Sequence, residues 1–211
     1  MKIDLNQINI CSAFASIAHD GQYRKRKLLP NVIGKDRYEG SKIPYIIHPS
    51  RVAFLVSMSN VATKNITNMI CTAYLHDVLE DCTDNGKNGL IRNHYISLPE
   101  FISQNRLNDD ITFMVKLLTN DKTKNKEVTY DTLKGGADYD HRYVLASIIK
   151  FCDRIDNLQT LDIFKEEKRK KYLKDTEKMI DKLFIPVSNV DKEIANLLVK
   201  TYIENKSKYG A

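Results

Sequence analysis

The six residues His76-Asp77-Val78-Leu79-Glu80-Asp81 put an imidazole and three carboxylates into a single short stretch of chain. Upstream of them, Ile66, Met69, Ile70, Ala73 and Tyr74 recur at helical spacing, which predicts one amphipathic helix from Asn65 to Cys82 with a buried stripe. Asp77 continues that stripe. Glu80 and Asp81 follow three and four residues later, so three carboxylates project from one side of the last turns, facing the interior. Like charges repel and a buried unpaired carboxylate is costly, so the pattern calls for a divalent cation. A solvated helix end is the alternative reading, although acidic groups at a C-terminal turn oppose the helix dipole.

Two more candidates stand far away in sequence. His48 precedes Pro49 at the entry to a helix predicted from Ser50 to Met58; a residue before proline is held extended, which fixes the backbone of His48 at the junction. It reads either as a ligand or as a packed polar residue. Asp153 shares a stripe with Leu145, Ile149 and Cys152 on a helix predicted from Tyr139 to Thr160, and Asn157 and Thr160 follow along the same face. Arg154 is a possible partner for Asp153 in a buried ion pair. Imidazole nitrogen and carboxylate oxygen without thiolate favour Mn²⁺, Fe²⁺ or Zn²⁺. Water held by such an ion is easier to deprotonate and can attack phosphorus.

Composition sets the frame that must position these groups. The chain has 211 residues with 42% apolar content, only 8 glycines and 5 prolines, and no Trp, which predicts an all-α fold in one domain over residues 1–211. A first helix is expected over Leu5 to His19, with Ile10, Phe14, Ile17 and Ala18 buried and Gly21 just past its end. Ser97 is the expected cap of one short helix, and Asn108 or Asp109 the start of another. Gly135 and Gly136 read as a turn, Pro186 as a break, and Ser188 or Asn189 as the cap of a last helix carrying Ile194, Leu197, Leu198, Thr201 and Tyr202. That helix is expected to fray from Lys206. No apolar run is long enough to span a membrane and no signal peptide is evident, so the expected location is cytoplasmic. The cysteines are scattered without CxxC spacing and imply no disulfides.

Net charge is +6, and most of the excess lies between Gln22 and Lys42, where seven basic residues face two acidic ones. This stretch, with Pro30, Gly34 and Gly40 as breakers, reads as a long irregular loop that meets an anionic partner, either nucleic acid or a polyphosphorylated nucleotide. The eight basic residues from Lys165 to Lys182 stand against five acidic ones and read as a solvated face.

Four motifs in order, AHDGQYRK (18–25), PYIIHPSRVA (44–53), AYLHDVLED (73–81) and KFCDRIDNLQT (150–160), resemble the HD phosphohydrolase superfamily, and within it the (p)ppGpp hydrolase domain of the RelA/SpoT family. With 211 residues, the chain is expected to stand closest to the single-domain small alarmone hydrolases. The resemblance implies an HD-domain fold, metal held by His48, His76, Asp77 and Asp153 with Mn²⁺ preferred, and Glu80 and Asp81 positioning or deprotonating the attacking water. It implies nucleotide contacts from Arg24 and Lys25 at the phosphates and from Asn157 and Thr160 on the nucleoside side. The reaction implied is removal of the 3′-pyrophosphate from guanosine tetra- or pentaphosphate. The connection from Arg24-Lys25 to Pro44 is longer than the compact family spacing, so the loop over the substrate is expected to differ. NADPH or pyrophosphorylated tRNA ends are alternative substrates, and an inactive nucleotide-binding module is a third reading, disfavoured by intact Glu80 and Asp81.

Overall fold

The computed structural model describes residues 3–25, 42–61, 63–83, 89–120, 123 and 125–210. Helix α1 (Leu5–Ala18) starts at Asp4, whose carboxylate accepts from the N–H groups of Asn6 and Gln7. It ends ahead of Gly21, whose φ of 75° suits a residue without a Cβ. The buried side is Cys11, Phe14, Ala15 and Ala18. Ile17, expected inside, is 49% exposed, because the smaller Cys11 and Ala15 face the core instead.

The Gln22–Lys42 stretch was expected to be irregular throughout, but its two ends pair. Strands β1 (Tyr23–Lys25) and β2 (Lys42–Pro44) run antiparallel, with Arg24 opposite Ile43, and the Tyr45 N–H closes the hairpin on the Gln22 carbonyl at 3.0 Å. The body of the basic loop, residues 26–41, lies outside the described residues. Helix α2 (Ile47–Ser57) opens three residues before the expected start. His48 is therefore helical rather than extended: Pro49 falls in the first turn, where its missing N–H leaves no bond unmade.

The central stretch is two helices, not one. Helix α3 (Thr63–Leu75) stops at His76 and the single turn α4 (Val78–Asp81) follows. The carbonyl of Ala73, which an unbroken helix would offer to the Asp77 N–H, takes His76 Nδ1 at 2.7 Å. Helix α5 (Leu98–Gln104) is capped by Ser97 as expected, and of the two candidate starts for α6 (Asp109–Leu118) it is Asn108 that caps.

Helix α7 (Glu127–Gly136) replaces the turn expected at Gly135 and Gly136. Glycine is needed at 136 for a packing reason, since a Cβ there would strike the Tyr143 ring. Helix α8 (His141–Leu158) is buried on every side from Val144 to Asp156, so it is the central rod of the fold rather than an amphipathic surface helix. A 3₁₀ turn (Leu161–Ile163) leads to α9 (Glu166–Ser188), which runs through Pro186 because Leu183 and Val187, both wholly buried, hold its last turn against the core. The cap of α10 (Lys192–Tyr209) is Asp191, not Ser188 or Asn189: one carboxylate oxygen accepts from the Ile194 N–H at 3.0 Å, the other from the Asn60 N–H at 2.9 Å. The helix continues past Lys206 to Tyr209, and Leu197 is 37% exposed while Ala195 takes its place inside.

The buried residues form two clusters. The larger surrounds α8 with side chains from α2, α3, α6, α7, α9 and α10; the smaller joins α1, α4 and α5 to the other faces of α3 and α6. The junction of α3 and α4 therefore hangs between both cores. Among the described residues no helix is long and apolar enough to cross a membrane, and all four cysteines are buried thiols.

Candidate metal centre and the groups around it

His48 comes from the first turn of α2, His76 and Asp77 from the break between α3 and α4, and Asp153 from the middle of α8. The structure brings all four together. His48 Nε2 lies 3.2 Å from Asp153 Oδ1 and 3.5 Å from Asp77 Oδ2; His76 Nε2 lies 3.1 Å from Asp77 Oδ2 and 3.9 Å from Asp153 Oδ1. The imidazoles meet edge to face with centroids 5.2 Å apart. Ligand atoms of His48, His76 and Asp153 fit within 4.8 Å of one another, with all three residues buried.

His76 tests whether this donor set suits a cation. Its Nδ1–H donates to the Ala73 carbonyl, which leaves Nε2 as the free lone pair, and that atom is buried without a hydrogen-bond partner despite its nearness to Asp77. An orphaned imidazole nitrogen facing two carboxylates is the arrangement a divalent ion completes. The electrostatics agree. Burial opposes ionisation of Asp153, but Lys150 and His48 outweigh it and hold the carboxyl far below its usual range. Asp77 is likewise held down against burial by His76 and His48. Burial alone would lower His48; bonds with Asp153, Asp156 and Asp77 instead push it up to about 10. In the absence of a cation, a proton on His48 neutralises part of the acidic cluster.

Tyr45 connects the cluster to α4. Its hydroxyl lies 2.7 Å from Asp77 Oδ2 and 3.1 Å from Asp81 Oδ2, while its ring stacks on His19. Burial, then the charges of Asp77 and Asp81, raise its pKa well above that of a free phenol, so it is a donor to carboxylates and not a base. Glu80 takes two bonds from Asn120, one from the backbone N–H and one from Nδ2, each 3.1 Å. The two acidic residues thus meet different partners, Asp81 the Tyr45 phenol and Glu80 the end of α6.

Arg24 reaches from β1 to the C-terminal part of α8, where it donates to Asn157 Oδ1 and lies 3.5 Å from Asp156 Oδ2. Asn157 in turn donates to Asp153 Oδ1 at 2.5 Å. Asn157 is therefore one hydrogen bond from the cluster and Arg24 two. Lys25 ends β1, and its side chain lies outside the described part of the molecule. Thr160 does not extend the face of Asp153: it lies past the end of α8 and its hydroxyl donates to the Asn157 carbonyl at 3.2 Å. Nor does Arg154 pair with Asp153. It turns aside, toward Tyr130 Oη at 2.9 Å and Thr176 Oγ1 at 3.0 Å, and Lys150 takes its place at 3.2 Å from Asp153 Oδ2.

Sequence reasoning passed over Asp156, Tyr45, Arg51 and Lys150. Asp156 is buried and accepts from His48 Nδ1 at 2.7 Å and from Arg51 Nη2 at 2.9 Å. Its spacing of three from Asp153, on a helix read as one-sided, was the available signal.

No protein-family model matches the chain. Two curated relatives do, both named guanosine-3′,5′-bis(diphosphate) 3′-pyrophosphohydrolase. The one from Vibrio cholerae is 26% identical over 181 residues, covering 83% of this chain and 24% of the relative. The one from Aquifex aeolicus is 35% identical over 136 residues, covering 63% and 17%. The chain thus spans a quarter or less of the length of these relatives. Among solved structures, one described as a metazoan ortholog of SpoT that hydrolyzes ppGpp superposes with a TM-score of 0.62 over 94% of both chains at 21% identity, which establishes a common fold. The resemblance carried by the four motifs holds in sequence and in fold: the chain is similar to the RelA/SpoT-type hydrolase domains of the HD superfamily.

Proposed function

We propose that the chain is a divalent-metal-dependent hydrolase that removes the 3′-pyrophosphate of guanosine tetra- or pentaphosphate, yielding GDP or GTP and pyrophosphate. The observation that carries this reading is the convergence of His48, His76, Asp77 and Asp153 around an unpartnered imidazole nitrogen, with Asn157 one hydrogen bond away and Arg24 two. Two relatives named for this activity support the choice of substrate.

His48, His76, Asp77 and Asp153 would hold the ion, with Mn²⁺ the preferred one, because an oxygen-rich set with two imidazoles suits it and it accepts more than four ligands. Bound there, the cation supplies positive charge that polarises a phosphoryl oxygen and eases deprotonation of water. The protein's own groups do the rest. Asp81, steered by the Tyr45 hydroxyl, orients the attacking water and takes its proton; Glu80, fixed by Asn120, stands beside it as the second acceptor. The water oxygen bonds to the phosphorus attached at the ribose 3′-oxygen, that P–O bond breaks, and the proton returns to the 3′-oxygen as the hydroxyl of GDP. Arg24 and Lys25 bind the pyrophosphoryl group as it passes to water, for which Arg24 must exchange Asn157 and Asp156 for phosphate oxygens. Asn157 contacts the nucleoside. The setting for such chemistry is the cytoplasm.

The test is incubation of the protein with Mn²⁺ and ppGpp, following pyrophosphate and GDP together. Stoichiometric release of both is expected. Orthophosphate from NADPH, or pyrophosphate from pyrophosphorylated tRNA ends but not from ppGpp, would reassign the substrate, and silence with all three would leave a binding module.

A further inference from the structure

The buried carboxylate of Asp156 does work that the site described so far leaves out. It stands behind His48, on the side of the ring away from the metal-facing nitrogen: Oδ2 accepts from His48 Nδ1 at 2.7 Å. Asp156 is only 1% exposed, a poor place for a free carboxylate. Arg51 makes it tenable, three residues after His48 on α2, with Nε on Oδ1 and Nη2 on Oδ2 at 2.9 Å, a two-pronged contact from one guanidinium. Arg24 adds a longer approach from β1, 3.5 Å to Oδ2. One carboxylate therefore ties α8 to α2 and β1.

An imidazole has two nitrogens, and a hydrogen bond donated by one decides that the other carries the lone pair. Asp156, ionised and clamped by Arg51, can only accept, so Nδ1 must carry hydrogen and Nε2 is the atom presented to Asp77 and Asp153. His76 is set the same way by a different device, the Ala73 carbonyl. The two imidazoles are thus fixed unequally: one by a neutral backbone group, the other by a full negative charge, which raises the basicity of the ligating nitrogen.

We propose that Asp156 is a positioning residue that orients His48, fixes its tautomer and strengthens its grip on the metal, with Arg51 as the clamp that keeps Asp156 in place. This rests on reading His48, His76, Asp77 and Asp153 as a metal centre. The same carboxylate also gives Arg24 a resting partner on the rim of that centre, so the phosphate-binding arginine and the metal-binding histidine share one anchor.

The experiment titrates Mn²⁺ into the wild-type protein and into Asp156→Asn by electron paramagnetic resonance, at a temperature well below both melting transitions. A loss of affinity of about 10- to 100-fold in Asp156→Asn is expected, and equal affinities in the two proteins would overturn the proposal. A second measurement needs no variant: with the wild-type protein loaded with diamagnetic Zn²⁺, ¹⁵N spectra should show the His48 ring protonated at Nδ1, with Nε2 shifted by the metal. Ligation through Nδ1 would overturn the proposal even if Asp156→Asn failed to fold. Absence of Mn²⁺ binding by the wild-type protein is a distinct result, which would remove the metal centre itself and the positioning role with it.

Discussion

A phenol between two carboxylates has one proton to give. The Tyr45 hydroxyl is nearer Asp77 at 2.7 Å than Asp81 at 3.1 Å, so of the two it donates chiefly to Asp77. Removing the hydroxyl in Tyr45→Phe deletes a hydrogen bond to a charged acceptor, worth about 1.5–3 kcal/mol, and lets two acidic groups repel without a shared donor. Turnover of ppGpp is therefore expected to fall roughly ten- to a hundredfold with nucleotide affinity little changed, as measured by kcat against KM. Asp81→Asn removes the proposed proton acceptor and is expected to abolish turnover while nucleotide binding, measured calorimetrically, persists. Undiminished activity in Asp81→Asn would show that the proton goes elsewhere.

At the scale of elements, the sequence showed the ends of several helices and singled out four side chains that the fold brings together, and it misjudged what lies around them. His48, His76, Asp77 and Asp153 were legible because histidine and aspartate on apolar stripes are expensive unless something holds them. The break after Leu75 was not legible, since apolar spacing runs smoothly from Ile66 to Tyr74 and the interruption comes from a side-chain bond, His76 to Ala73, that spacing does not encode. Arg154 was assigned to Asp153 by adjacency, yet adjacent residues on a helix point about 100° apart, and α8 is buried on all sides. Arg154 therefore bonds α8 to Tyr130 of α7 and Thr176 of α9, with its guanidinium over the Tyr172 ring. Arg154→Ala would take a charged donor from the buried Tyr130 and Thr176 hydroxyls and is expected to cost about 3 kcal/mol, seen as a fall of roughly 6–12 °C in melting temperature. Because the side chain bonds to Tyr130 and Thr176 and not to the site, Mn²⁺ affinity of the folded variant should stay within about twofold, measured by the same spin-resonance titration. A larger loss of affinity would mean that α8 shifts as a unit when these bonds are lost.

At the scale of the whole molecule, the two cores come together at a cluster of acidic groups that the chain must neutralise to stay folded. Without a cation the neutralisation is done by protons and by Lys150 and Arg51. Asp77, Asp153 and Asp156 are held below their ordinary range against burial by His76, His48, Lys150 and Arg51, so their stabilisation is present above about pH 4 and is lost as pH falls through their folded values. His48 is raised to about 10; its contribution is complete below about pH 6.5 and is lost as pH rises toward the folded value. Metal-free protein should therefore be most stable to urea between about pH 4 and 6.5. A cation takes over the role of the His48 proton. Mn²⁺ at a hundred times its dissociation constant adds about 2.7 kcal/mol, or roughly 5–10 °C in melting temperature for a chain of this length. The increment should grow from pH 6 to pH 8, as the proton it displaces becomes easier to remove. Scanning calorimetry with Mn²⁺ or with chelator at both values measures it. Equal melting temperatures with and without the ion at pH 8 would mean that Lys150 and Arg51 suffice to hold the cluster.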